Sequence, residues 1–370
     1  MIGVHSPEFS IEHNVDNVRQ AARDTRVDHP MAARPVMPRR LTNDLLLALV
    51  LAQAATGLAG WALPVPQVAP LYDVHRALGV ALLLVLLWKQ VIVRRSLARR
   101  WGRDGSTVWG ILAGSALLGA LAIGLAWTLW LISFDTLWGY SPVNLHVFLG
   151  IGLLPFVGWH ALQRRSANRA SARVVSRRTA LRLVGLGEAT LLGWQAIERA
   201  ATLLYPPGVR LASGSKHAGS FNGNAFTAEI WLFDAVPALD VQTWRLRLAG
   251  RLDAPRELSL TELLEAHPEH QVQAVLDCTS GWWTEQVWTG VRVLDVLARA
   301  GVQPEAREVT VESVTGHRHT FRLADVSEAL LASHLGGEPL SPGHGYPLRL
   351  VVPGRRGYQW VKWIERIDVA

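Results

Sequence analysis

The chain has 370 residues, a single cysteine, 16 tryptophans and a net charge of +7 at pH 7. Its mean hydropathy is positive and only 18% of its residues are charged, which excludes an ordinary single-domain soluble protein. One cysteine excludes an intramolecular disulfide, and arginines grouped at the ends of apolar segments, rather than on one soluble face, argue against nucleic-acid binding.

The N-terminal part of the chain is predicted to be a tail followed by membrane helices. Residues 1–40 are polar and lack an apolar core, which indicates a disordered cytoplasmic tail. Residues 41–165 contain four apolar segments of the roughly 20 residues needed to cross a bilayer core of about 30 Å. The predicted spans are residues 43–63, 74–93, 108–132 and 143–163.

The distribution of arginines predicts the sidedness of the chain. Arginines follow the second and fourth segments, whereas the links on the other side contain neither lysine nor arginine, so the N-terminus is expected in the cytoplasm. Residues 166–204 form a basic loop and a fifth, marginal segment at 180–203, in which Glu188 opposes insertion. Arg177 and Arg178, in "SRRTALRLVG", either resemble a twin-arginine export signal or act only as cytoplasmic charges. Both interpretations favour a C-terminal domain outside the cytoplasm.

Three histidines in the apolar segments are candidate metal ligands. His146 and His160 lie fourteen residues apart on the fourth segment, so they leave the same face of a helix near opposite membrane surfaces. His75 begins the second segment at the level of His146. Two neutral imidazoles from different helices can hold a haem iron, so His75 and His146 form the predicted pair. The alternative is that each histidine only forms hydrogen bonds at the membrane interface.

The four segments, over about residues 39–165, resemble the cytochrome b subunit of formate dehydrogenases and related di-haem b cytochromes, which carry two fourth-helix histidines at this spacing. The resemblance implies one haem b held by His75 and His146, linked to the quinone and quinol pool. A second haem at His160 lacks the family's first-helix ligand, because the first segment opens with Asn43 and contains no histidine.

Residues 225–370 follow a turn-rich linker at 205–224 and combine short strand and helix patterns, which predicts a mixed α+β domain. Cys278 stands in "LDCTSGWW", after an apolar strand and at a turn. A lone cysteine is commonly a small buried apolar residue, but its thiolate is also a soft metal ligand. Far downstream, Arg349 and Lys362 stand among the glycines of "GHGYPLRLVVPGRRGYQWVKWIERIDV" and suit a phosphate. One thiol with these basic residues therefore suits a phosphate-bearing metal cofactor.

Both segments resemble the molybdopterin-binding domain of the sulfite oxidase family, which includes the bacterial periplasmic methionine sulfoxide reductase catalytic subunit. The resemblance covers about residues 225–370 and includes "DCTSGW", "HGYPLR" and "VKWIERI". It implies a molybdenum–molybdopterin cofactor, with Cys278 as the catalytic residue that binds molybdenum. It places further pterin contacts within 222–233. It also implies contacts to the pterin and its phosphate from Ser313, His344, Arg349, Trp360, Val361 and Lys362.

The sequence departs from the sulfite oxidases around the substrate. Arginines that follow the family's cysteine are replaced by Trp282 and Trp283, and Ser333 stands where the family has an active-site tyrosine. Aromatic walls suit a neutral or partly apolar substrate, such as a sulfoxide, better than a small dianion. His317 and His319 could bind a metal if they shared a strand face, but a solvated strand face is the preferred interpretation.

The sequence predicts an α-helical membrane bundle of about five spans followed by a sulfite-oxidase-type α+β domain, in the cytoplasmic membrane of a bacterial-type cell. The predicted function is oxygen-atom transfer that reduces an S-oxide or N-oxide with electrons from quinol through haem b. The predicted partners are the quinone and quinol pool, a small oxo donor or acceptor and the lipid bilayer, without nucleic acid. Three alternatives stay open: an oxidase of a sulfur compound that passes electrons to the membrane, a molybdenum enzyme on a haem-free anchor, and a non-enzymatic cytochrome with a degenerate domain.

Overall fold

The computed structural model describes most of the chain, in seven ranges. Residues 1–37 of the predicted tail, 166–175 of the basic loop and 206–209 of the linker lie outside the described residues, so the interpretations of these segments stay predictions. The described residues are 38–63, 69–100, 106–133, 140–165, 176–205, 210–230 and 234–370.

The first half of the described chain is a bundle of five α-helices. They are α1 (Arg39–Ala62), α2 (Ala69–Arg100), α3 (Ser106–Thr128), α4 (Pro142–Arg165) and α5 (Arg177–Leu204). Helices α1 to α4 are long and apolar enough to cross a membrane. At most 17% of the apolar window of each is buried inside the protein, and leucines such as Leu51 and Leu118 are more than half exposed. Such large exposed apolar faces suit helices that are surrounded by lipid.

Helix α5 coincides with the fifth predicted segment but differs in composition from the other four. Its N-terminus is capped by Ser176, whose Oγ accepts a hydrogen bond from Thr179 N–H (3.3 Å). Near its other end, Glu198 forms salt bridges with Arg76 of α2 (2.8 Å) and Arg210 (3.2 Å). Because α5 is not among the four described helices with the length and apolar composition of a span, its crossing of the membrane stays a prediction.

Apolar side chains from four helices form the core of the bundle. Leu82 and Val85 of α2 are almost fully buried and pack with Leu49 of α1, Leu153 of α4 and Leu186 of α5. Close packing of side chains between neighbouring helices fixes the positions of the helices along their axes. As a result, the histidine-bearing ends of α2 and α4 lie side by side.

The C-terminal domain contains two β-sheets and short helices, which confirms the predicted mixed α+β class. Its elements are β1 (Lys216–His217), β2 (Leu246–Gly250), β3 (Arg256–Leu258), α6 (Leu260–Ala266), β4 (His270–Asp277), β5 (Trp282–Arg292), α7 (Val293–Ala300), β6 (Glu308–Ser313), β7 (Arg318–Arg322), β8 (Leu330–Leu335), β9 (Glu338–Pro339), β10 (Arg349–Val351) and β11 (Ile364–Val369). One sheet has the order β1–β5–β8–β10, with β4 paired to β5 and β9 to β8. The other sheet has the order β3–β2–β11–β6–β7.

The two sheets enclose the core of the domain, and one strand pair positions the cysteine. Alternate residues of β6, such as Val309 and Val311, are fully buried, as the period of a strand predicts. Strands β4 and β5 run antiparallel, with Asp277 opposite Trp283 at the end of the pair. Cys278 therefore lies in the turn that connects these two strands, at one end of the first sheet.

Candidate active site and histidine pair

The cysteine turn is tight and lies directly against the helical bundle. Cys278 N–H donates to Trp282 O (2.9 Å), and Gly281 N–H donates to Cys278 O (3.1 Å). Gly281 has a φ of +89°, and a Cβ at this position would lie 2.7 Å from side-chain atoms of Trp127 and Val143. Glycine is therefore required here by the backbone conformation and by the close approach of α3 and α4.

A cleft of about 730 Å³, measured to its open mouth, lies beside this turn. Val361 is buried behind the wall of the cleft, where its carbonyl oxygen accepts a hydrogen bond from Leu350 N–H (2.8 Å). The other six C-terminal residues that the sequence predicted for the site all line the cleft: Cys278, Ser313, His344, Arg349, Trp360 and Lys362. The fold thus brings together residues from three distant segments of the chain.

Three buried nitrogen atoms in the wall of the cleft have no hydrogen-bond partner within the described residues: His344 Nε2, Arg349 Nε and Trp360 Nε1. Other atoms of two of these side chains are anchored. Ser341 Oγ forms a hydrogen bond with His344 Nδ1 (2.6 Å), and an Arg349 amino group donates to His344 O (3.1 Å). Because buried polar atoms are almost always hydrogen-bonded in folded proteins, the unpaired nitrogens indicate a polar ligand that completes the site.

Two buried cations give the inner cleft a positive charge. Arg349 lies over the ring of Trp288 (5.2 Å to the centroid), and Lys362 Nζ donates to the carbonyl oxygens of Glu229 (2.7 Å) and Gly343 (2.6 Å). Burial lowers the pKa of Arg349 to about 10. Burial and the neighbouring Arg349 charge lower the pKa of Lys362 to about 7. A bound anion would favour the charged form of both side chains.

The cysteine itself is a protonated thiol at neutral pH. Its Sγ accepts a hydrogen bond from Ser280 N–H (3.5 Å). Burial, with a smaller contribution from the carboxylate of Glu229, raises the pKa of Cys278 to about 11. A metal cation would remove the proton, because the thiolate is the form that binds metals. One soft sulfur ligand next to unpaired donors and buried cations fits a molybdenum cofactor that carries a phosphate.

A buried salt bridge between Asp277 and Arg356 holds the cysteine turn, and sequence patterns assigned no role to either residue. Both side chains are less than 10% exposed, and Asp277 Oδ1 also accepts a hydrogen bond from Ser215 Oγ (2.6 Å). A Cβ on the next residue, Gly357, would lie 3.2 Å from Cys278 Cα. The salt bridge therefore fixes the segment that contains Arg356 and Gly357 against the cysteine.

The interpretation of His317 and His319 as a solvated strand face is wrong. His317 lines the cleft, and its Nε2 forms a hydrogen bond with Tyr358 O (2.9 Å). His319 is half-buried and contacts Gln359 through its own Nε2 (2.9 Å). Both histidines therefore hold the turn around residues 357–359 in place. Within the described residues they are not part of any group of three or more metal-ligating side chains.

Two predicted positions around the substrate do not reach the cleft. Trp282 is buried and lines it, but adjacent residues of a strand face opposite sides, so Trp283 instead contacts the ring of His217 at a tilted angle (4.5 Å between centroids). Ser333 is buried in β8, where its Oγ forms a hydrogen bond with its neighbour, and it does not line the cleft. A tyrosine of the cleft is supplied by a different segment, as Tyr358. The predicted aromatic wall is therefore present but is built from other residues.

In the helical bundle, the rings of His75 and His146 lie 6.0 Å apart between their centroids and nearly perpendicular to each other. His75 Nδ1 forms a hydrogen bond with Thr56 Oγ1 (3.0 Å), and His146 Nδ1 with Ala120 O (2.8 Å). Metal-binding histidines are commonly oriented in this way through their second ring nitrogen. Both Nε2 atoms therefore remain available to bind a metal.

Glycines face the histidines from neighbouring helices. A Cβ on Gly124 of α3 would lie 3.1 Å from His146 Cε1, and a Cβ on Gly110 would lie 3.9 Å from His160 Cε1. His146 and His160 thus face the same neighbouring helix, as their spacing predicted. His75 is the only other histidine in the described helices, so the second predicted haem lacks a histidine partner within them.

The cysteine turn contacts the end of α4, one of the two helices that carry the histidine pair. Asn144, two residues before His146 on α4, donates from Nδ2 to Ser280 Oγ (3.3 Å). On the other side of the cleft, Tyr358 stacks on Trp61 (5.4 Å), and its hydroxyl donates to the backbone at the end of α1 (2.8 Å). The cysteine turn and His146 are therefore linked by one hydrogen bond and about half a helical turn of α4.

Comparison with known proteins locates a family in the C-terminal domain. Residues 233–370 match the family model described as oxidoreductase molybdopterin binding domain. The chain is 35% identical over 132 residues to the uncharacterized oxidoreductase YuiH of Bacillus subtilis (strain 168), covering 35% of this chain and 66% of the relative. It is 33% identical over 168 residues to mitochondrial sulfite oxidase of Rattus norvegicus, covering 36% and 30%. It is 31% identical over 169 residues to an NAD(P)H nitrate reductase of Hordeum vulgare, covering 37% and 19%.

Among solved structures, the sulfane dehydrogenase SoxCD from Paracoccus pantotrophus is 29% identical, with a TM-score of 0.35 and coverage of 36% of this chain and 40% of that chain. The chain thus spans about two thirds of one curated relative and a third or less of the two others named above. The family match defines the C-terminal domain as an oxidoreductase molybdopterin-binding domain. The C-terminal domain therefore indicates an oxidoreductase, with homologues among the sulfite oxidases and nitrate reductases.

Proposed function

We propose that the chain is a membrane-bound molybdenum oxidoreductase that reduces an S-oxide or N-oxide with electrons from quinol, delivered through a haem b held by His75 and His146. The observation that carries the proposal is the contact between the cysteine turn and the helix that bears His146, through Asn144 and Ser280. A catalytic site that rests on a histidine pair in an apolar bundle is suited to exchange electrons with a carrier in the membrane.

The cleft provides the groups that a molybdopterin needs. Cys278 would bind the molybdenum, and the pterin with its phosphate would be bound by His344, Arg349, Trp360 and Lys362. The first three of these side chains each have a buried nitrogen without a hydrogen-bond partner, and the pKa of Lys362 is lowered by burial and by the neighbouring Arg349. When bound, this cofactor supplies two-electron oxygen-atom exchange with the substrate. The side chains of Arg349 and Lys362 line the cleft and keep its interior positively charged. The salt bridge between Asp277 and Arg356 holds the cysteine turn, and with it the ligand sulfur, in place.

The walls of the cleft favour an uncharged substrate. The phosphate would neutralise Arg349 and Lys362, and Arg356, the buried arginine beside the cysteine turn, is already paired with Asp277. Aromatic rings and apolar side chains line much of what is left: Phe226, Ile230, Trp282, Tyr358 and Trp363. A small dianion such as sulfite would find little charge compensation there, whereas a neutral oxide would not need it.

An acid for the reaction is also present in the cleft. Reduction of an S-oxide or N-oxide consumes two protons along with two electrons. Glu229 lines the cleft and accepts a hydrogen bond from Trp282 Nε1 (3.4 Å). Burial raises the pKa of Glu229, so its carboxyl group can hold a proton closer to neutral pH than an exposed glutamate.

The proposed topology has the N-terminus in the cytoplasm, α5 as the fifth span and the catalytic domain outside. In this arrangement His75 and His146 lie near the outer surface, on the same side as the cleft. His160 lies towards the cytoplasmic surface, where a second haem would need a ligand from outside the described helices.

The proposal is tested by metal analysis and reduced-minus-oxidised spectra of detergent-purified protein, followed by single-turnover kinetics. We expect molybdenum and haem b in the protein, and reoxidation of quinol-reduced haem by dimethyl sulfoxide or trimethylamine N-oxide. His146→Ala should remove the haem spectrum, whereas the matched variant His160→Ala, one membrane leaflet away on the same helix, should retain it.

Other outcomes select the alternatives. Molybdenum without haem would identify a haem-free anchor, and iron without molybdenum would identify a non-enzymatic cytochrome. Reduction of the haem by sulfite, with no reoxidation by either oxide, would reverse the proposed direction and make the protein an oxidase.

A further inference from the structure

Lys216 is a buried cation at the boundary between the two domains. It is 1% exposed, although lysine is among the residues most rarely buried. Its backbone is hydrogen-bonded to the cysteine turn. Strand β1 pairs in parallel with β5, and Lys216 N–H donates to Gly281 O (2.8 Å). The position of this lysine is therefore fixed relative to Cys278.

The side chain of Lys216 leaves the catalytic domain and contacts the end of α3. Its Nζ lies 3.9 Å from the ring centroid of Trp127 and 4.6 Å from that of Trp130, and it donates to Ile132 O. A cation is favoured at the C-terminal end of a helix, where carbonyl groups are unpaired. A desolvated cation over a tryptophan ring is attracted by the negative face of that ring.

Trp127 makes the reciprocal contact. Its Nε1 donates to Gly214 O (3.1 Å), and its ring fills the space that a side chain at Gly281 would occupy. We call Trp127, Trp130 and Lys216 the clasp. The clasp therefore contacts the cysteine turn from both domains. Lys216 extends from the catalytic domain to the bundle, and Trp127 extends from the bundle to the catalytic domain.

Trp127 also lies on α3, the helix that packs against His146. Trp127 follows Gly124 by three residues, and the Cβ position of Gly124 lies 3.1 Å from His146 Cε1. The carbonyl oxygen that orients His146, that of Ala120, is one turn further along the same helix. A displacement of Lys216 or Trp127 would therefore change the separation between Cys278 and His146.

We infer that Lys216 and Trp127 are positioning residues that set the distance and orientation between the molybdenum site at Cys278 and the haem site at His75 and His146, and so determine the rate of electron transfer between them. This inference rests on the proposed function. An apolar residue in place of Lys216 would hold the domains together by packing, but it would lack the directional contacts to two indole rings and a helix end. Burial lowers the pKa of Lys216 only to about 8, so the side chain remains charged at pH 7.

The test compares Lys216→Met, which keeps the length of the side chain and removes its charge, with Lys216→Arg, which keeps the charge. Arg247→Met is the matched control, because its ion pair with Glu257 lies on an exposed strand edge of the same domain. Full-length protein is purified in detergent, and three quantities are measured. They are the haem spectrum with its potential, turnover of dimethyl sulfoxide with reduced benzyl viologen, and the rate at which dimethyl sulfoxide reoxidises quinol-reduced haem.

We expect Lys216→Met to slow haem reoxidation several-fold, because the rate of electron transfer between two centres falls steeply as their separation grows. The haem spectrum and the viologen-driven turnover should stay within twofold of the wild type, since two other contacts, Asn144 to Ser280 and Tyr358 to α1, keep the domains docked. Lys216→Arg should restore most of the rate, and Arg247→Met should leave all three quantities unchanged.

An unchanged rate of haem reoxidation in Lys216→Met would overturn the inference. A parallel loss of viologen-driven turnover would overturn it as well, because the lysine would then be required for folding of the catalytic site rather than for the separation of the two sites. If the wild-type haem is not reoxidised by the oxide, the proposed function fails, and this outcome is distinct from a failure of the variants.

Discussion

Replacement of Arg356 by methionine is expected to destabilise the C-terminal domain by up to about 4 kcal/mol at pH 7. The guanidinium of Arg356 and the carboxylate of Asp277 are both almost fully buried, at 5% and 8% side-chain exposure. Removing one partner of such a pair leaves an uncompensated charge, which typically costs 3–5 kcal/mol. The hydrogen bond from Ser215 to Asp277 remains and offsets a part of this cost.

The measurement is urea unfolding of the detergent-purified protein at pH 7, followed by tryptophan fluorescence. Arg366→Met is the matched control, because the ion pair between Arg366 and Asp368 is exposed to solvent, which screens it. The double variant Arg356→Met with Asp277→Leu should recover much of the loss, since no buried charge then remains. A loss below about 1 kcal/mol in Arg356→Met would refute the role of the salt bridge.

Three further predictions concern the site and the topology. Cys278→Ser should abolish oxide reduction and leave the haem spectrum intact; retained turnover would contradict the ligand assignment. Burial lowers the pKa of His344 to about 3, so below pH 6.5 the unfolded chain binds a proton that the folded chain does not. The cofactor-free protein should therefore lose about 2 kcal/mol of stability between pH 7 and 5, and His344→Asn should remove most of this dependence; an equal slope in both proteins would contradict it. A phosphatase fused after Ala370 should be active outside the cytoplasm, and activity only inside would exclude α5 as a span.

The features that the sequence predicted correctly depend on local periodicity or on short segments. Four runs of apolar residues were sufficient to predict α1 to α4, because a helix of a given length crosses a bilayer whatever its neighbours are. The helical repeat placed His146 and His160 on one face, and the structure has both facing α3. Cys278 and Lys362 were recognised as parts of family motifs, and the fold brings both into one cleft.

The features that the sequence did not predict depend on tertiary packing. Asp277 and Arg356 are 79 residues apart, and each is an ordinary charged residue until the fold removes water from both. Ser333 was assigned to the tyrosine position from the resemblance of a short segment to the family, but its side chain does not line the cleft. Tyr358 instead lines the cleft from a turn in a different segment. The error at Trp283 was avoidable, because the two-residue period of a strand already excludes that both neighbouring tryptophans face the same side.

The high pKa of the lone thiol has a consequence for the maturation of the protein. Because burial raises the pKa of Cys278 to about 11, the side chain is a protonated thiol at pH 7, and a thiol is a much weaker nucleophile than a thiolate. Before the cofactor binds, protonation therefore slows oxidation of the sulfur and its exchange with disulfides. Under the proposed topology, this protection would preserve the sulfur in an oxidising compartment until the metal arrives.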